Sequence, residues 1–219
     1  GSVDFYNIKV DDRVLFTSQI QGAAGSDLEA SLNAAGVVSV QAWINAGNTK
    51  TSGMDFVLNW KKDDLALGLV GNINETTIDS IDTPSELNGV EIFSHKERSL
   101  ITSSRPKSKV ALTADYTTDK FEFGLYNTNF GKVTIAHDGN DVSLDQELGS
   151  KLVTDFRLTY KFTPQLRLTG IMNNAFDVYP DVTNVNTRTT GGGRFLYSSQ
   201  VSQMGQLGRN YSLALSYKF

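Results

Sequence analysis

No cysteine occurs in the 219 residues, which excludes a disulfide framework, a thiolate metal site and a cysteine nucleophile. Histidine is nearly absent too. His95 and His137 are the only two, and neither sits in a pattern such as H-E-x-x-H, so both read as solvated loop residues and not as ligands or bases. There is no excess of positive charge: 20 Lys and Arg face 24 Asp and Glu, for a net charge of −4. The two signs are mixed along the chain, which leaves a nucleic-acid partner no basic stripe to bind. No apolar run approaches the roughly 18 residues of a membrane helix. Gly1-Ser2-Val3-Asp4 carries no basic and then apolar leader pattern, so an export signal is expected upstream of it. Mean hydropathy is −0.25. That value is compatible with a membrane barrel, in which a strand needs only about 9–11 residues and every second one faces lipid.

What the sequence does contain is alternation. Tyr211, Leu213, Leu215, Tyr217 and Phe219 fall on one side of an extended chain, with Asn210, Ser212, Ala214, Ser216 and Lys218 on the other. Period two recurs in 152–162, 166–173, 121–126, 110–116, 54–60 and 65–73, as half-buried strands require. A first strand spans about Val3 to Thr17, with Tyr6, Ile8, Val10, Val14 and Phe16 on one face. Asp12 interrupts that face, which predicts either a bulge or a strand that has left the lipid layer.

The count is eight strands. Links after Trp60, Thr117 and Phe162 are short and polar, whereas those around 20–36, 79–106, 137–150 and 180–205 are long and rich in Gly, Ser, Asn, Asp and Thr. Strict alternation of short and long links marks an outer-membrane barrel with its short turns in the periplasm. Trp60, Tyr116, Phe121, Tyr160, Phe162, Tyr217 and Phe219 cluster beside the short-turn rim, and Phe16, Trp43, Phe130 and Tyr179 near the other. Amphipathic rings favour the headgroup layers. Asp155, Arg157, Lys161, Arg167 and Lys218 all lie opposite the large apolar residues. That sidedness avoids the roughly 2–4 kcal/mol cost of a Lys or Arg facing mid-membrane lipid.

Two segments resemble one family, the TonB-dependent outer-membrane receptors. Asn173-Asn174-Ala175-Phe176-Asp177-Val178-Tyr179-Pro180-Asp181 resembles the NN-x-FD-x-YP element of the penultimate strand. Gly205-Gln206-Leu207-Gly208-Arg209-Asn210-Tyr211 through Phe219 resembles the last strand. Weaker matches are Asp4–Arg13, and Asn45-Ala46-Gly47 with Thr51-Ser52-Gly53-Met54-Asp55, where Asp55 replaces a commoner Glu. The resemblance implies an all-β antiparallel transmembrane barrel of which residues 1–219 are the last eight of 22 strands, with the plug domain absent from this chain. It also implies location in the bacterial outer membrane and uptake of a ferric siderophore or similar scarce nutrient. The implied partners are the N-terminal remainder of the receptor, a TonB-type energy-coupling protein acting through the plug, and outer-membrane lipid with lipopolysaccharide. A surface lipoprotein is a further candidate partner. Tyr211, Leu213, Leu215, Tyr217 and Phe219 resemble the C-terminal signal read by the barrel-assembly machinery.

For an anionic, partly aromatic chelate, the loop residues of matching chemistry are Arg98, Arg105, Arg188, Arg194 and Tyr197, with Trp43 and His95 as lesser candidates. Arginine forks suit carboxylate-like oxygens. No cofactor or metal is expected. Asp138-Gly139-Asn140-Asp141 fails as a calcium loop, because Val142 occupies a position needing an oxygen ligand. Gly191-Gly192-Gly193 reads as a flexible loop. Asp79-Ser80-Ile81, placed in an outer loop, resembles a short O-glycosylation pattern of Bacteroidetes envelope proteins. The rival readings are a self-contained eight-stranded barrel acting as anchor or adhesin, and a small lipid-directed barrel enzyme. No Ser/His/acid set supports the latter.

Overall fold

The computed structural model describes residues 1–87, 89–137, 139, 141–184 and 194–219. Eight strands form one antiparallel sheet: β1 (Ser2–Phe16), β2 (Trp43–Lys62), β3 (Leu65–Ile81), β4 (Ser108–Thr117), β5 (Phe121–Phe130), β8 (Lys151–Lys161), β9 (Leu166–Asn173) and β10 (Asn210–Tyr217). Each pairs with its neighbours in chain order, so the sheet is a simple meander. The number of sheet strands and the short–long alternation of links agree with the sequence reading. The sheet is open: β1 and β10 each pair on one side among the described residues.

Local chemistry fixes the tight turns. Asp63 takes φ +48° between β2 and β3. Thr118 closes the next turn: its backbone N–H donates to the Phe121 carbonyl at 2.7 Å and its hydroxyl accepts the Phe121 N–H at 3.0 Å. The Thr163 hydroxyl does the same for Leu166 N–H at 3.0 Å. The expected bulge is real. Register shifts fall between Val10 and Val14, Asp12 has φ +54°, and its N–H donates to Asn48 Oδ1 at 3.0 Å.

Paired residues of antiparallel strands share a face, so the register sorts the side chains. One row runs Leu65, Tyr116, Phe123, Leu158, Gly170, Leu213 across six strands. A row on the opposite face runs Ala66, Asp115, Gly124, Arg157, Ile171, Ser212. The first face is apolar and bare: Leu213 is 75% exposed and Phe5 80%. Continuous apolar surface on this scale is not stable against water and marks a hydrocarbon-facing wall. Its short-turn rim carries a chain of ring contacts, Phe121–Tyr160 at 5.1 Å, Tyr160–Phe162 at 4.7 Å and Tyr217–Phe219 at 5.2 Å.

Several expectations need correction. Tyr6, Ile8 and Val10 are not on the apolar face. Phe5 pairs with Met54, so Tyr6 lies on the polar face, where its hydroxyl accepts from Asn72 at 2.9 Å. Size misled here, because pairing and not bulk decides which side faces out. Phe130 also lies inward, in the row of Asn72, Lys109 and Lys151, with the Lys109 ammonium 5.2 Å above its ring. Asp79-Ser80-Ile81 ends β3 and is not in a loop. The long links hold unforeseen elements: α1 (Asp27–Ala34), α2 (His95–Thr102), and a hairpin of β6 (Val133–Ile135) with β7 (Gln146–Leu148).

The buried core sits in these links and at the adjoining ends of β1 and β2. Leu15, Ile20, Ala46, Ile92 and Phe93 form one cluster, and Val133, Ile135, Leu148 and Val201 another. On α2, Ile101 packs on the first and Leu100 on the second.

Spin labels on Leu158 and Leu213 of the membrane-embedded protein are expected to report hydrocarbon, while a label on Ser212 reports water. An aqueous signal from Leu213 would overturn the facing. Leu158→Arg is expected to cost about 2–4 kcal/mol of folding stability in bilayers, measured by denaturant titration.

Candidate functional site

Two regions carry the chemistry: the polar face and the packed links above it. On the polar face, the Asp115 carboxylate accepts from Arg157 Nη2 at 2.8 Å and from the Tyr126 hydroxyl at 2.7 Å. The Arg157 guanidinium lies 5.8 Å from the Tyr126 ring centre, and its Nε is buried without a partner among the described residues. Lys161 pairs with Glu122 at 3.1 Å, and Asn72 donates to Asp55 at 2.5 Å. Of the charges expected on this face, Arg157 and Lys161 are thus paired with acids, and Asp155 accepts the Asn174 N–H. A shallow hollow of about 370 Å³ opens beside Gly68, lined by Asn59, Ala66, Thr113 and Asp115.

At the top of β9 the chain makes a sharp, polar corner. Asn174 is buried, with φ +50°. Its side chain accepts from Val178 N–H at 2.9 Å and donates to the Val178 carbonyl at 2.7 Å, while Asp155 takes its backbone N–H at 2.7 Å. Asp177 accepts the Arg209 N–H at 2.8 Å, and that bond holds its carboxyl below the ordinary value. Gly208 has φ +67° directly under the Tyr179 hydroxyl, where a Cβ would collide. The two sequence segments, 173–181 and 205–211, therefore form one clasp joining the ends of β9 and β10. Tyr179 adds a near-parallel stack on Tyr197, with centroids 6.0 Å apart. Asp181 reaches back to β8: Lys151 lies 2.5 Å away and Gly149 N–H 2.7 Å away, and the lysine, then the amide, hold its carboxyl below the ordinary range.

The candidate ligand residues are dispersed. His95 is a strut: its Nε2 lies 2.7 Å from Asp145, whose other oxygen accepts the His137 N–H at 2.9 Å. Arg98 donates through Nε to the Phe93 carbonyl at 3.1 Å and is otherwise exposed. Arg105 and Arg194 are exposed. Trp43 lies against Phe16 at 4.8 Å. Arg188 and Gly191–Gly193 lie outside the described residues, as do Asp138 and Asn140. A cavity of about 370 Å³ lies between the top of β1 and α2, lined by Leu15, Phe16, Gln41, Lys96, Glu97 and Gln200. Sequence reading missed it because it missed α2. A signal was present: Ser94-x-x-Glu97, like Ser26-x-x-Glu29 before α1, has capping-box spacing. Ser26 accepts the Glu29 N–H at 3.1 Å, and the Ser94 hydroxyl meets the Glu97 carboxylate. Among the described residues no three His, Asp or Glu side chains converge to hold a metal.

The family model for the TonB dependent receptor-like β-barrel matches residues 1–175. The chain belongs to the TonB-dependent receptor β-barrel family. It is part of an outer-membrane barrel, and the barrel-enzyme reading is set aside. Sequence comparison with curated proteins gives no match. Among solved structures, the chain resembles the ferric enterobactin receptor PfeA of Pseudomonas aeruginosa, at TM-score 0.61 and 14% identity over 99% of this chain and 28% of that one. It resembles the FrpB iron transporter of Neisseria meningitidis equally, at 0.61, 14%, 99% and 28%. The copper transporter OprC gives 0.62, 14%, 99% and 28%. At these identities the likeness concerns the fold. The chain spans about a quarter of the length of those proteins.

Because the folded Asp181 carboxyl is held low, its tether is fully present above the unfolded carboxylate pKa and is lost as pH falls through the depressed value. In this receptor barrel, a spin label at Val182 is expected to become more mobile below about pH 4. Asp181→Asn should show the mobile spectrum already at pH 7. A label indifferent to both changes would overturn the tether's role.

Proposed function

We propose that this chain is the C-terminal wall of an importer that takes up a ferric siderophore or a similar scarce chelate across the outer membrane, driven from the inner membrane. The observation that supports it most is the pairing of two features in one molecule. A hydrogen-bonded polar wall, centred on Asp115, Tyr126 and Arg157, lies beneath a roof of packed links that exposes Arg98, Arg105 and Arg194. The first suits a lumen that holds a folded plug, and the second suits capture of an anionic ligand. The partners of this reading are the plug and remaining strands, a TonB-type protein touching that plug, and surrounding lipid with lipopolysaccharide. A surface lipoprotein over the mouth also fits it. The open edges of β1 and β10 speak for the large barrel over a closed eight-stranded one, since unpaired backbone groups in hydrocarbon cost several kcal/mol each.

The ligand set proposed is Arg98, Arg105, Arg188, Arg194 and Tyr197, with Trp43 and His95 at its margin. The test is ferric-chelate binding and uptake by the intact receptor. Arg98→Gln, Arg105→Gln and Arg194→Gln combined should weaken binding about tenfold or more, since a hydrogen bond to a charged group contributes about 1.5–3 kcal/mol. Unchanged affinity across a panel of ferric chelates would sink this ligand set.

Tyr211, Leu213, Leu215, Tyr217 and Phe219 are proposed as the assembly signal. All five side chains are exposed on the outer face of β10 and the residues after it. Deleting Phe219 should lower the fraction of receptor that runs as folded barrel on unheated gels, and a wild-type fraction would refute it.

A further inference from the structure

Three stretches far apart in the sequence enclose the cavity of about 370 Å³ beside α2: the end of β1 with the link after it, the link that carries α2, and the link before β10. Leu15, Phe93, Leu100 and Ile101 are its apolar walls. Leu15 and Phe93 belong to the buried core, and Leu100 and Ile101 pack on the two core clusters. The walls are therefore held by the packing of the roof and keep their shape without an occupant.

The polar groups at this cavity are mostly acceptors. Glu97 is anchored through one oxygen only. Its Oε2 accepts the Ser18 hydroxyl at 2.7 Å and meets the Ser94 hydroxyl, while Ser18 Oγ accepts the Ser94 N–H at 2.8 Å. Oε1 of Glu97 has no partner among the described residues. Gln41 donates through Nε2 to the Thr17 carbonyl at 2.9 Å. That bond fixes which end of the amide is which, and it leaves Oε1 as an acceptor without a partner among the described residues. The Gln200 side-chain amide bonds to nothing among the described residues. Lys96 also borders the cavity, but it has a partner of its own. Arg98, the next cation on α2, is turned to the Phe93 carbonyl.

This arrangement suits a cation and not an anion. Two hydroxyls hold the Glu97 carboxylate in place, so little order is lost when a partner arrives. At the edge of an apolar cavity its remaining oxygen meets a partner in a weakly screening medium, where a charge-assisted bond is strong. An ammonium brings three N–H donors, and the site offers three acceptors, on Glu97, Gln41 and Gln200. The apolar walls call for a hydrocarbon body behind that ammonium.

We propose that the cavity binds a small ligand that carries an ammonium group on an apolar ring or chain. The ammonium donates to Glu97 Oε1 and to the amide oxygens of Gln41 and Gln200, and the apolar body lies among Leu15, Phe93 and Ile101. The site selects a positive group, in contrast to the exposed arginines of the same roof. The recognised chemistry is the same whether the ammonium arrives as a free amine or as one arm of a larger chelate. This inference does not rest on the import reading.

Fluorine NMR of the intact receptor in uncharged detergent tests it, with 4-fluorophenethylamine as probe and 4-fluorophenethyl alcohol as its neutral counterpart. The amine line should broaden on addition of wild-type receptor, and the alcohol line should look as it does in empty micelles. Glu97→Gln should weaken amine binding about tenfold or more. Glu97 also holds the start of α2, so the Gln200 side chain, which holds nothing, supplies a second pair of variants. Gln200→Glu should tighten amine binding, and Gln200→Lys, which brings an ammonium of its own, should abolish it. Equal binding of amine and alcohol, or an amine line indifferent to all three substitutions, would overturn the proposal. A ferric trihydroxamate with a terminal amine and its N-acetyl form are then added as competitors. Displacement by the amine form alone identifies a chelate arm as the source, and displacement by neither identifies a free amine. Displacement by both forms alike would show that no ammonium is needed and would also overturn it.

Discussion

Cross-strand register is the constraint on which this structure depends. In hydrocarbon every backbone N–H and C=O must be paired within the protein, so the ladders cannot loosen. Because side chains alternate with period two, the same ladders fix which side each residue faces, and a slip of one residue would exchange the two faces. Leu158 and Leu213 face out only because Gly170 pairs with both. Arg157 faces in, within reach of Asp115, for the same reason. The bulge at Asp12 lets the upper part of β1 change register without disturbing the rows below it.

The chain has its greasy residues in two unlike places. On the sheet they are spread as a single exposed layer whose solvent is lipid. In the links they are gathered into small cores around Phe93 and Leu148, as in a water-soluble domain. α2 joins those cores, presenting Ile101 to one and Leu100 to the other. The roof is therefore a packed body held by struts such as His95–Asp145, and it offers a rigid frame for exposed arginines. Rigid presentation lowers the entropy lost on binding.

The Asn-Asn-x-Phe-Asp-x-Tyr-Pro segment does structural work. Asn174 replaces missing backbone partners at a left-handed corner, Asp177 captures the Arg209 amide, and Tyr179 covers Gly208. These bonds set where β10 begins, and so the register of the last strand. The positive φ values at Asn174 and Asp177 suit Asn and Asp, which tolerate that region better than most residues.

By itself the sequence determined the eight strands, their order of short and long links, and the polar and apolar sides of β4, β5, β8, β9 and β10. Those follow from period-two patterning, which is local and needs no partner to be read. The bulge was legible because a lone Asp breaks a face. Tertiary structure alone decided the side on which Tyr6 and Phe130 lie, since both have bulk for either face and only the pairing of Phe5 with Met54, and of Lys109 with Phe130, selects one. It also decided α1, α2 and the β6–β7 hairpin. These elements are too short to be stable or periodic alone, and they exist because their apolar residues close against one another from distant parts of the chain. The cavity beside α2 belongs to the same class.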